Sequence, residues 1–133
     1  MIVVDNNALS GLAIPGDAYH QAASKARRQD ADWHAPELCR SEFRSVATGC
    51  LRKGEPIEHV LAAAAVADGA ARFYRMEPQE VFAVVQESPL SAYDAEFVAL
   101  ARRLGCPLVT TDKQILKYYP NVAVRLTDFI AVS

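Results

Sequence analysis

Charge of one sign, long apolar runs and paired cysteines are all scarce in this sequence, and each shortage closes off a class of function. Fourteen Lys and Arg stand against sixteen Asp and Glu, a net charge of -2, which by itself counts against a nucleic-acid binder. The longest apolar run, Val60 to Ala67, is eight residues. A bilayer span needs about 20, and the N-terminus lacks the basic region and longer apolar stretch of a signal peptide, so a soluble cytoplasmic protein is expected. The three cysteines, Cys39, Cys50 and Cys106, are odd in number and contain no C-x-x-C pair. Neither a disulfide framework nor a cysteine-rich zinc site is indicated. His20, His34 and His59 form no i, i+4 pair and no H-E-x-x-H, and are expected on the surface or on helix flanks. No G-x-x-x-x-G-K-[ST], G-x-G-x-x-G or G-x-S-x-G segment occurs, which removes the usual nucleotide-binding loops and the serine hydrolase elbow.

What is present is apolar patterning. With 133 residues, 51% of them apolar, the chain fits one domain over 1–133 and can bury a sizeable core. Pro107-Leu-Val-Thr-Thr-Asp112 reads as a short inner strand ending on a carboxylate, and Met1-Ile-Val-Val4 followed by Asp5 repeats the design. Further strands are expected over Asp32 to Ala35, Arg72 to Met76 and Val122 to Leu126. Helices are expected from Ala18 to Arg28 behind a capping Asp17, from Pro36 to Lys53, from Pro56 to a closing Gly69, from Pro78 to Gln86, from Ser91 to Leu104 and from Lys113 to Tyr118. Thr127 is expected to cap a closing turn. Strands alternating with helices at this spacing imply βαβ units, and hence an α/β fold on a mainly parallel sheet. Side by side, the first and the Leu108 strands would bring Asp5 and Asp112 to one rim, where open α/β sheets bind ligands.

Two helices aim further acids at that rim. Projected at 100° per residue, Cys39, Phe43, Val46 and Cys50 form an inward stripe; Glu42 lies roughly 70° from its centre and Glu37 about 150° away, facing water. In the helix from Ser91, Tyr93, Phe97, Leu100 and Leu104 are read as the inward stripe, with Asp94 and Glu96 on opposite flanks. Periodicity does not choose between those two, but position in the first turn favours Asp94. Taken singly, Asp5 and Asp112 could be plain turn or capping residues, and Ser91-x-x-Asp94 matches a capping box. Convergence of four acids argues for more, because two unit charges ~4 Å apart repel by about 4 kcal/mol at an effective dielectric near 20. Such a cluster implies a divalent cation. Oxygen ligands without nearby cysteine or histidine suit Mg²⁺ or Mn²⁺, and that chemistry fits phosphodiester hydrolysis. Setting the four acids aside leaves twelve against fourteen bases, so net charge decides little.

Asp5-Asn6-Asn7-Ala8-Leu9, Ala35-Pro36-Glu37-Leu38 followed by Glu42, Tyr93-Asp94-Ala95 with Leu100-Ala101, and Leu108-Val109-Thr110-Thr111-Asp112 together resemble the PIN domain, and within it the VapC-type toxins of bacterial toxin-antitoxin pairs. The resemblance covers essentially the whole chain in order. It implies a three-layer α/β/α sandwich and a Mg²⁺- or Mn²⁺-dependent endoribonuclease whose metal-binding and catalytic acids are Asp5, Glu42, Asp94 and Asp112. Asn7 and Thr110 match positions expected to orient carboxylates or water, and Glu96 is an additional acid beside them. The same resemblance implies a cognate antitoxin that blocks the site, and self-association into a homodimer. Arg40, Arg44, Lys113 and Lys117 are candidates for RNA phosphate contacts, or ordinary solvated helix charges. Two other functions compete: a PIN nuclease that processes RNA without being a toxin, and a Mg²⁺-dependent phospho-acceptor signalling domain. The second fits less well, since such domains pair two acids at the first strand and here there is one.

Overall fold

The computed structural model describes residues 1–132. Among them, five short strands, β1 (Ile2–Val4), β2 (Trp33–Pro36), β3 (Arg72–Tyr74), β4 (Leu108–Thr110) and β5 (Ala123–Arg125), form one parallel sheet in the order β3-β2-β1-β4-β5. The three inner strands are buried at every residue, as continuous apolar runs covered on both faces should be. The edge strands β3 and β5 keep exposed positions.

The helices are α1 (Asn6–Ala13), α2 (His20–Gln29), α3 (Leu38–Arg52), α4 (Ile57–Ala70), α5 (Pro78–Glu87), α6 (Ala92–Leu104), α7 (Lys113–Tyr118) and α8 (Leu126–Ala131). One layer is α6, which packs across β1, β2 and β4 and carries α5. The other is built on α1, α2 and α8, while α3 and α4 pack against α1. The result is the expected α/β/α sandwich. Its core includes Ile2, Leu9, Trp33, Leu100, Leu108, Ile115 and Leu126, all at 2% exposure or less, each worth about 1.5–3 kcal/mol of burial. No helix of the described residues is long and apolar enough to cross a membrane.

The chain runs from β1 outward through β2 and β3, then crosses back to place β4 on the other side of β1. The order therefore reverses between β1 and β4, and a crevice opens at their carboxyl ends. Val4 stands opposite Val109 there, so Asp5 and Asp112 follow from adjacent strands.

Several elements depart from the sequence expectation. Helix α1 was not anticipated: Asp5 is its N-cap, with a side chain that accepts the Ala8 N–H at 3.1 Å. Asp17 accepts the Tyr19 N–H at 2.8 Å and shapes the turn before α2, whose N-cap is Tyr19. Pro36 ends β2 instead of opening α3, consistent with the extended geometry that its fixed φ also permits. Gly69 lies inside α4, and Thr127 lies inside α8, a full helix in place of a turn. Gly105, at φ 64°, ends α6 as expected. Tyr93 is 66% exposed, so it does not belong to the inward stripe. The buried face of α6 is instead Ala95 with Phe97 to Ala101, wide because the sheet and α5 both cover it. His34 is also a correction, being a buried β2 residue; its Nε2 meets Asp32 and its Nδ1 meets the Tyr74 hydroxyl, both at 2.7 Å.

Candidate metal centre

The crevice holds a cavity of about 600 Å³ whose lining includes Asp5, Glu42, Asp94 and Asp112, together with Asn7, Thr110, Thr111 and Lys113. Strand ends supply Asp5 and Asp112; α3 supplies Glu42 and α6 supplies Asp94. The four acids singled out from periodicity thus share one wall, and Glu37 is exposed elsewhere.

Asp5 is the most heavily bonded. Its Oδ2 accepts from the Thr110 hydroxyl at 2.8 Å, the Thr111 N–H at 2.9 Å and, more weakly, the Thr111 hydroxyl at 3.4 Å. Its Oδ1 accepts only the Ala8 N–H. The Asn7 amide donates to the Thr111 hydroxyl at 2.6 Å, which leaves that hydroxyl's single proton to point toward Asp5. Thr110, wholly buried, also accepts the Asp112 N–H at 3.0 Å, and so fixes two of the acids through one hydroxyl. Asp112 spends Oδ1 on the Ile115 N–H at 2.9 Å, capping α7. Asp94 sits in the first turn of α6, its N–H donated to Ser91 Oγ at 3.1 Å.

Glu42 has no such support. Its Oε1 is buried without a hydrogen-bond partner, the one side-chain atom in that state among the described residues. Burial, then the charges of Asp5, Asp94 and Glu96, push its carboxyl up to about 7. Burial also raises Asp5, against its hydrogen bonds, and raises Asp94 with help from Asp112. Beneath the site the Cys39 thiol is pushed up by burial and by Glu42 and Asp5. Carboxylates that repel one another and a buried oxygen without a partner fit a bound cation, and oxygen donors alone suit a hard ion. Among the described residues no three Asp, Glu, His or Cys side chains close into a ready ligand cluster.

Glu96 is half-buried on α6; its charge acts on Glu42, but it is not part of the cavity lining. Arg40 is turned toward Asp68 at 3.7 Å and lies over the Phe73 ring, and neither it nor Arg44 lines the cavity. Lys113 does. Sequence reasoning missed Thr111 and Tyr19. Thr111 had a signal, since it stands one residue past the strand, where its N–H is free to turn onto Asp5. Tyr19 had none, because only the α1–α2 corner brings it to the cavity.

The PIN domain family model matches residues 2–120. Ribonuclease VapC3 of Pyrobaculum aerophilum is 26% identical over 132 residues, covering 90% of this chain and 95% of that protein. Among solved structures, the fold is similar to PAE2754 of Pyrobaculum aerophilum, with a TM-score of 0.72, 23% identity, and coverage of 98% of this chain and 94% of the other. It is also similar to Mycobacterium tuberculosis VapC20, a sarcin-ricin loop cleaving toxin, at a TM-score of 0.64 and 20% identity over 88% of this chain and 94% of that one.

Proposed function

The chain belongs to the PIN domain family, and from that premise we propose that it is a Mg²⁺- or Mn²⁺-dependent endoribonuclease, the toxin of a pair whose antitoxin restrains it. The observation that carries the reading is the buried, partnerless Glu42 Oε1 facing three other carboxylates across one cavity. The name of VapC3 and the description of VapC20 point the same way. Self-association as a homodimer is part of the reading.

In this reading Asp5, Glu42, Asp94 and Asp112 hold the cation. Mg²⁺ is commonly bound by one or two carboxylates, with water and substrate phosphate completing its shell, so a closed protein cluster is not required. When bound, the cation neutralises the phosphodiester and activates water for hydrolysis. Asp5 would hold it through the acceptor capacity left on Oδ1, which takes the Ala8 N–H alone, whereas Oδ2 takes both Thr110 and Thr111. Asp112 offers Oδ2, its other oxygen being the α7 cap. Thr110 keeps both carboxylates in register, and the Asn7 amide keeps the Thr111 hydroxyl aimed at Asp5.

The test is Asp112→Asn. Asparagine caps a helix as well as aspartate does, so the fold should stand while Mn²⁺-dependent cleavage of RNA falls by at least ~100-fold. Cleavage at wild-type rate, or cleavage that survives chelation of divalent ions, would remove the metal assignment. Expression without its partner gene should arrest growth; harmless expression of an active nuclease would favour the RNA-processing role.

A further inference from the structure

We propose that Tyr19 is the stacking platform for an unpaired base next to the cleaved bond. The inference rests on the nuclease reading and adds the residue that selects the substrate.

The cavity wall is a poor place to hold a polyanion. Four carboxylates line it and Lys113 is its one basic side chain. A cation offsets that charge at one phosphate only, so affinity for the flanking nucleotides has to come from groups indifferent to charge. Two aromatic rings belong to the lining. Phe97 is 3% exposed and spent on the core. Tyr19 is half-buried, packs against the core and lines the cavity. Aromatic rings at a binding surface capture unstacked bases in single strands, independently of base identity.

Tyr19 is also held still. Its N–H donates to Asp17 Oδ1 at 2.8 Å and its carbonyl accepts the Ala23 N–H at 2.8 Å. Gly11 of α1 fits so closely behind it that an added Cβ would stand 2.9 Å from the Tyr19 carbonyl oxygen and 3.0 Å from its Cβ. A backbone and Cβ fixed in advance leave only the ring's own rotation to be lost on binding, and that favours its use as a platform.

The experiment is a cycle of two enzymes and two RNAs, read as KM and kcat with Mn²⁺. Wild type and Tyr19→Ala are each given an RNA loop and the same loop with an abasic nucleotide beside the cleaved bond. Base stacking on an aromatic predicts a KM rise of about 5- to 100-fold for Tyr19→Ala with kcat little changed. The abasic substitution should raise KM for wild type by a similar factor and add nothing further to Tyr19→Ala. Tyr19→Phe, which keeps the ring, should restore wild-type KM. Additive losses in the cycle, or an unchanged KM in Tyr19→Ala, would overturn the platform while leaving the nuclease intact. Absence of any Mn²⁺-dependent cleavage by wild type would instead overturn the reading on which the proposal stands.

Discussion

Replacing Glu42 by glutamine should make the metal-free protein more stable and the nuclease inactive. The folded chain raises this carboxyl from 4.5 to about 7, so the folded state binds the proton more tightly than the unfolded state does. The stabilising contribution of the protonated group is then fully present below about pH 4.5 and is lost as pH rises toward 7. Above that, the chain folds against a buried, repelled charge. At about 1.4 kcal/mol per tenfold change in acidity the ceiling is ~3 kcal/mol, and solvent on the open side of Glu42 screens it to about 1–2 kcal/mol. Glutamine has the same shape without the charge, so at pH 8 and in chelator the variant should melt several degrees higher, about 3–8 °C. At pH 5 the gain should shrink to about a quarter of that. Added Mn²⁺ should raise the melting temperature of wild type and do much less for Glu42→Gln, because the cation's ligand is gone. Thermal scans from pH 5 to 8, with chelator and with Mn²⁺, give all four numbers. A variant less stable than wild type at pH 8, or a difference independent of pH, would refute the electrostatic account of this site.

Substitutions at three further positions probe the scaffold. Thr110→Val keeps the shape of a wholly buried residue but strips one donor from Asp5 and the acceptor from the Asp112 N–H; unfolding in urea should show a loss of about 1–3 kcal/mol, with Thr110→Ser recovering most of it. Glycine to alanine should change sign with position: Gly11→Ala drives a methyl into the Tyr19 backbone and should cost about 1–3 kcal/mol, whereas Gly69→Ala, in α4 with nothing within 4 Å, should gain about 0.5–1 kcal/mol. Both are measured by the same denaturant titration, and equal signs would refute the packing described at the α1–α2 corner.

The sheet was legible because its inner strands are apolar at most positions, His34 and Thr110 excepted, a pattern that length and flanking residues separate from helix. The acids were legible because helix projection converts sequence spacing into direction, and Glu42 and Asp94 do reach the cavity that Asp5 and Asp112 form. Projection failed for Tyr93, where it weighted the larger side chain. Half of the buried face of α6 is alanine, Ala95, Ala99 and Ala101, beside Phe97, Val98 and Leu100; the packing value of such small residues depends on how closely a neighbour approaches. Helix α1 was missed because Asn6-Asn7 reads as a loop and a glycine interrupts the rest; its one clear start signal, Asp5, reads equally as a turn residue or a ligand. Asp32, two residues before His34, is a local partner, but nothing local could reveal the second one, since Tyr74 meets His34 only once β2 and β3 pair.

The two duties of Asp5 show how the site is built. From sequence, an acid after a strand is either a helix cap or a functional carboxylate, as though one excluded the other. Here Asp5 caps α1 through Oδ1 and Asp112 caps α7 through Oδ1, while both line the cavity. A carboxylate has more acceptor sites than a cap consumes, so one side chain can start a helix and still face a cation. Coupling the two duties fixes each acid at the rim by the same bond that begins the next element, with no extra residue to hold it. Glu42 lacks that arrangement: it stands mid-helix and has no second duty, and it is the acid left with an unsatisfied oxygen. The choice of probe follows. Alanine at Asp5 or Asp112 removes cap and carboxylate together and confounds folding with function, costing about 0.5–2 kcal/mol from the cap alone; asparagine at the same positions separates them. At Glu42 there is no cap to lose, and any substitution that removes the charge reads the site directly.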